Sequence, residues 1–175
     1  MDIETRLAKI ESRIARLSTE IHTPRADYSA LYGSADTESI PNAAYTIIDY
    51  ELKYFDRSNC VTTGATWKYT AKRDGMYLII AAVSFASSTT WESGEALTVR
   101  VYVNEAQQRV IGRFDGGTAN GILVYAYATG ITAIEMFKGD YCDVRAYQSS
   151  DGALNLREDA LYNFVYITPI DLYRS

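Results

Sequence analysis

Met76-Tyr77-Leu78-Ile79-Ile80-Ala81-Ala82-Val83-Ser84-Phe85-Ala86 is the run whose reading decides the fold. The Asp74-Gly75 turn precedes it, and the polar stretch Ser87 to Gly94 follows. A short run of β-branched and aromatic residues between turn signals reads as a strand, not a helix. Both of its alternating faces are apolar, so a central strand buried on two sides is expected.

The segments around it keep the period of two. Tyr45 to Tyr54 is β-branched and aromatic, and Thr66 to Thr70 is a short strand holding Trp67 and Tyr69. Leu97, Val99, Val101 and Val103 share one face, with Thr98, Arg100 and Tyr102 on the other. Arg109 to Phe114 follows, then the Gly-rich loop Asp115 to Gly121. In Ile122 to Ala128 neither face looks wet: Ile122, Val124, Ala126 and Ala128 oppose Leu123, Tyr125 and Tyr127. That pattern fits one side in a core and one in a subunit interface. Ile131 to Phe137, Tyr141 to Tyr147 and Tyr162 to Thr168 complete the set, with turns at Lys138-Gly139-Asp140 and Ser149 to Gly152. Eight or more short strands with no helix between them give a mainly β, antiparallel sandwich over residues 43–175.

The first 24 residues follow a different rule. Ile3, Leu7, Ile10, Ile14, Leu17 and Ile21 are spaced alternately four and three apart. This heptad seam places Leu7, Ile14 and Ile21 at a positions and Ile3, Ile10 and Leu17 at d positions. A lone helix of this length is marginal and would leave its stripe wet, so a coiled-coil stalk over residues 1–24 is expected. Ile at both a and d shifts the preference from dimers toward trimers or tetramers. Arg6 at g and Glu11 at the following e can pair between parallel neighbours, and Arg6 to Glu11 resembles the signature of short trimeric coiled coils. Three heptads make a rod of roughly 30 Å and are weakly stable alone, so the head is expected to trimerise too. Pro24 ends the helix. Residues 25–42, polar and small, read as a linker wrapped over the head, with an edge strand at Tyr28 to Tyr32.

Composition narrows the function. The 175 residues are 47% hydrophobic with a net charge of −5, and the stalk is neutral, so the head carries the acidity. That disfavours a nucleic-acid binder, which needs a basic patch. No stretch is long and apolar enough to insert in a membrane as a helix, and the charged N-terminus reads as no secretion signal. The single histidine, His22, falls at an outer stalk position, so no Ser-His-Asp or Cys-His centre and no His-based zinc site is expected in the head. No phosphate-binding loop occurs, and Asp115-Gly116-Gly117-Thr118 reads as a turn. No catalytic residue, cofactor or metal is assigned. Cys60 and Cys142 fit buried free thiols, with a single bridge left open. Trp91, in a polar loop with no evident packing duty, is the candidate partner contact; the alternative is that the loop folds back and buries it.

Four local patterns resemble the trimeric jelly-roll family that includes complement-C1q-like and tumour-necrosis-factor-like domains. They are Thr66 to Ala71 followed by Gly75-Met76-Tyr77; Val99 to Val103 ending at Asn104; Met136 to Tyr141 around Lys138-Gly139-Asp140; and the aromatic strand Asn163 to Ile167. The resemblance implies a non-enzymatic homotrimer. It points to Tyr162, Phe164 and Tyr166 near the three-fold axis, with Tyr125 and Tyr127 as further interface candidates; ordinary core is the other reading of these residues. It also raises Asp140 and Asp143 as oxygen ligands for calcium, against a plain solvated turn. There is no collagen-like segment. A short coiled coil with a C1q-like head looks like a bacteriophage virion protein: a capsid decoration or head-fibre protein, or a receptor-binding tip. The implied partners are a capsid or other virion protein, and a host-surface protein or glycan. A cellular C1q-like binding module or adhesin is the alternative.

Overall fold

The computed structural model describes residues 11, 28–86, 89–116 and 123–170. The stalk residues Ile3, Arg6, Leu7, Ile10, Ile14, Leu17 and Ile21 lie outside the described set; Glu11 is helical and exposed.

The head is an antiparallel sandwich. In chain order its strands are β1 (Ala30–Gly33), β2 (Ser39–Ile40), β3 (Tyr45–Ile47), β4 (Leu52–Asp56), β5 (Val61–Thr62), β6 (Lys68–Thr70), β7 (Gly75–Ser84), β8 (Thr89–Thr90), β9 (Ala96–Val103), β10 (Ala106–Asp115), β11 (Leu123–Val124), β12 (Tyr127–Met136), β13 (Tyr141–Gln148), β14 (Leu154–Asn155) and β15 (Phe164–Ile170). One sheet runs β12-β7-β15-β1-β4, and the other β10-β9-β13-β6-β5 with β3 also on β13. Two small ribbons, β11-β8 and β14-β2, sit beside them.

The core between the sheets is aromatic. Trp67, Tyr50, Tyr69, Tyr77 and Phe85 are fully buried, with Ile79, Val83, Val99, Val101, Val144 and Ile167 around them. Trp67 packs edge-on against Tyr50 and Tyr32, with centroids 5.4 Å and 6.3 Å away. Rings of this size bury the most apolar area per residue and dominate such a core. Cys60 and Cys142 are both buried and free, and burial pushes the Cys142 thiol well above its ordinary range.

The period of two is met, with three differences. First, β1 is no edge strand. It lies between β15 and β4, pairing Ala30 with Ile167 and with Asp56. Its buried Ala30 and Tyr32 make it part of the core, so the sandwich starts within the segment expected as linker, residues 25–42. Second, the run from Ile122 is broken: Leu123–Val124 pairs β8, and β12 begins at Tyr127 and continues for ten residues. Third, only one face of β7 is sealed. Tyr77, Ile79, Ala81 and Val83 point into the core, whereas Met76, Leu78 and Ile80 are only half-buried on the outer side.

Turn chemistry sets the hairpins. Between β9 and β10 both Asn104 and Glu105 have positive φ, 48° and 66°, as a two-residue type I′ turn requires. Asn suits that region; Glu does not, at about 1 kcal/mol. The Glu105 carboxylate accepts hydrogen bonds from Arg145 Nη2 (2.6 Å) and Tyr141 Oη (3.0 Å), which holds it there. Asn104 also donates from Nδ2 to Asp140 Oδ1 at 2.8 Å, tying this turn to the Lys138-Gly139-Asp140 turn.

Gln148, fully buried at the end of β13, anchors the opposite end. Its Nε2 donates to the carbonyls of Ile40 (3.1 Å) and Gly152 (2.6 Å), and its Oε1 accepts from Ser150 N (2.8 Å) and Oγ (2.7 Å). Gln148→Ala orphans all four groups, and a buried orphan costs about 1–3 kcal/mol. We expect it to lower the stability from urea unfolding by about 3 kcal/mol or more. A loss under 1 kcal/mol would mean that water replaces the amide.

Candidate functional site

Each sheet turns one face outward, and the two faces are built differently. On the β10-β9-β13 sheet the outer face is polar and partnered. Arg145 donates from Nε and Nη2 to the two oxygens of Asp143 at 2.7 Å and 2.8 Å, and its guanidinium lies 4.0 Å from the centre of the Tyr102 ring. Arg100 sits 4.5 Å over Tyr45, which stacks at 4.9 Å on Tyr147. The Asp143 hydrogen bonds, more than any other contact, raise the Arg145 pKa above its ordinary value; Arg145 and then Tyr141 lower that of Glu105. Such fork-shaped and cation–π contacts pair the charged groups of this face with one another.

The outer face of the other sheet is apolar. Register puts Ile131 opposite Ile80, Ile80 opposite Tyr166, Tyr166 opposite Leu31, and Leu31 opposite Phe55. One unbroken row therefore crosses all five strands, with the Phe55 and Tyr166 rings edge-on at 6.3 Å. Met76, Leu78, Phe164 and Ile170 extend it along the strands, and all four are half-buried. Ile131 is 61% exposed and Tyr127 41%. Monomeric proteins seldom expose an apolar patch that spans a sheet. Completing the burial of side chains this large stabilises an assembly by about 1 kcal/mol or more apiece.

The expected interface residues divide along these lines. Tyr127, Phe164 and Tyr166 lie on the apolar face. Tyr125 and Tyr162 are exposed beside it, at the end of the sandwich marked by Ser84 and Phe164, and the Arg157 guanidinium covers the Tyr162 ring at 3.9 Å. The reading missed Ile131, Ile80, Leu31 and Phe55. The two apolar sides of Met76 to Ala86 signalled half of that row; β1 and β4 could not be placed from pattern alone.

Trp91 is corrected. It is fully buried, edge-on to Phe114 at 5.2 Å. A Cβ on Gly116 would come within 2.7 Å of Trp91 Cβ, so the glycine lets the loop close over the indole. Glu95 secures the closure, accepting from Glu92 N at 2.6 Å through its carboxylate and from Gly116 N at 2.9 Å through its carbonyl. Trp91 is therefore a core residue and is not offered to a partner. Asp140 and Asp143 are likewise occupied: Asp140 by Asn104 and by Phe137 N (2.8 Å), Asp143 by Arg145. Asp140 closes the turn, whereas Asp143 lies buried in β13 with both oxygens accepting from Arg145.

A scan against protein-family models finds no match, and no curated protein matches the sequence. Solved structures do match. Eiger, a TNF from S. frugiperda, superposes with a TM-score of 0.61 at 11% identity, over 85% of this chain and 95% of that one. Murine APRIL gives 0.56 at 11% identity, over 81% and 98%. The globular domain of zebrafish complement 1qA gives 0.54 at 13% identity, over 83% and 98%. At such identities the likeness is one of fold, and the chain has the jelly-roll fold shared by TNF-like and C1q-like domains.

Proposed function

We propose that the chain is a non-enzymatic, homotrimeric virion protein of a bacteriophage, a capsid decoration or head-fibre protein whose coiled-coil stalk carries a jelly-roll head. The observation that carries the trimer is the apolar row from Ile131 to Phe55, which a single copy leaves wet and two further copies would cover. The heptads from Ile3 to Ile21 support the same count, because Ile-rich a and d positions disfavour a dimer. The virion assignment rests on the pairing of a short coiled coil with a C1q-like head and no collagen repeat. That step is analogy of architecture.

Chain direction supports a based head. The sandwich is entered beside Ser29, which bonds Thr168 at 2.7 Å, and Ile170 leaves from the same end. The opposite end carries Tyr125, 64% exposed, and Leu161, 77% exposed. Those side chains favour a second role in host contact, through a surface protein or glycan. Probing purified particles with an antibody to the head tests the assignment. Signal that stays with intact particles through a density gradient, in multiples of three copies, is expected; absence from particles overturns it in favour of a cellular binding module.

A further inference from the structure

The loop after β13 is held at its base and free at its tip. Gln148 Nε2 donates to the Gly152 carbonyl at 2.6 Å, and Gln148 Oε1 accepts from Ser150 N and Oγ. Between those anchors Gly152 N donates back to the Ser150 carbonyl at 2.6 Å, and Asp151, the residue enclosed, has a φ of 56°. A three-residue turn with positive φ at its centre is rare and strained. Asp151 and Gly152 are both exposed, and the Asp151 carboxylate has no hydrogen bond or ion pair among the described residues. The loop ends a strand of the sheet whose outer face is polar, and so lies off the Ile131–Phe55 row.

Asp-Gly is a reactive pair. The aspartate Cγ can reach the next main-chain nitrogen, and glycine has no Cβ to obstruct the approach. The sequence holds three such pairs, and the structure separates them. Asp74 Oδ1 accepts from Lys138 N at 2.7 Å, and Gly75 already belongs to β7, paired with Met136. Asp115 Oδ1 is held by Arg113 Nη2 at 2.6 Å, while Gly116 N donates to the Glu95 carbonyl at 2.9 Å and Gly116 packs on Trp91. At Asp151 the carboxylate is unheld, and Gly152 stands in open space, with nothing within 4 Å of an added Cβ.

We propose that Asp151-Gly152 is a spontaneous modification site, where the folded chain isomerises to isoaspartate. Gly152 N attacks Asp151 Cγ and forms the N–Cγ bond; the carboxyl hydroxyl leaves as water with the proton from Gly152 N. Water then opens the five-membered imide. Cleavage of the new N–Cγ bond restores aspartate, whereas cleavage between Gly152 N and the Asp151 main-chain carbonyl leaves the peptide running through Cβ and Cγ. One water is lost and one gained, so the mass is unchanged and no oxidant or reductant is needed. The product carries an extra methylene in the main chain between Ser150 and Gly152, the two residues that Gln148 grips. The Gln148 anchors fit the shorter chain, so the modification loosens them.

The test is storage of the full chain at body temperature and mildly acidic pH, in buffer and in concentrated urea, followed by peptide mapping that resolves isoaspartate from aspartate. In buffer, isoaspartate at residue 151 is expected to build up several-fold faster than at 74 or 115. In urea, where the fold is gone, the three sites should react alike. Gly152→Ala, whose methyl fits the open space, is expected to slow the reaction at 151 and leave 74 and 115 unchanged. Chains purified with isoaspartate at 151 should unfold at a lower urea concentration, the direction expected for Gln148→Ala. Comparable rates at all three sites in buffer, the same ratios in urea as in buffer, or undiminished reaction in Gly152→Ala overturns the proposal. An unchanged urea midpoint in the modified chain overturns its link to Gln148.

Discussion

Ile131→Asp is expected to leave the head folded and abolish its self-assembly. Ile131 stands 61% exposed at the β12 edge of the apolar face, so an aspartate there is solvated in the single chain. In a trimer closed through that face the same carboxylate would be desolvated without a partner. An unpaired buried charge costs about 3–5 kcal/mol, and each of three copies would bear it. Light scattering should therefore report a single-chain mass where the native protein reports three, with the circular dichroism spectrum unchanged. Ile131→Ala should only weaken the assembly, since it removes area without adding charge. A trimer that survives Ile131→Asp would place the interface elsewhere, and the polar β10-β9-β13 face has little to recommend it.

The largest effect on the fold itself is expected at Gly130. A Cβ at this position would lie 1.6 Å from the Ile111 carbonyl oxygen and 2.3 Å from its carbon. The obstacle is backbone, so no rotamer change can relieve it. Gly112, across the gap, is as tightly met: its Cβ would fall 2.8 Å from the Thr129 oxygen. These two glycines are where β10 and β12 press together and the two sheets close along one side. Gly130→Ala must push those strands apart, opening the core beside Ala128 and Ile134. Losses above about 4 kcal/mol are uncommon for single substitutions, and this one should reach that range or prevent folding. Gly152→Ala is the matched comparison, because nothing lies within 4 Å of its Cβ; its midpoint in urea should barely move. Equal, small shifts for both would mean that the β10–β12 approach is looser than described.

How far the sequence revealed this depends on what each residue's neighbours are. Alternation sufficed for β9, where Leu97 to Val103 alternate with Thr98, Arg100 and Tyr102, and for β7 and β15 the continuous β-branched and aromatic run served instead. For β1 it gave a strand but not its place: the edge strand expected at Tyr28 to Tyr32 lies between β15 and β4, a position that only tertiary pairing decides. Trp91 misled for the same reason. Its loop is polar, and the ring that covers it, Phe114, comes from another strand. The aromatic residues of the last strand were legible as a face, but not what completes it, since Leu31, Phe55, Ile80 and Ile131 meet only through cross-strand register.

Sedimentation equilibrium of the full-length chain at micromolar concentration tests the central claim most directly. The account predicts a single species of three times the chain mass, with the Ile131→Asp chain sedimenting as one copy under the same conditions. A native protein that sediments as a single copy, or as a dimer, would contradict it.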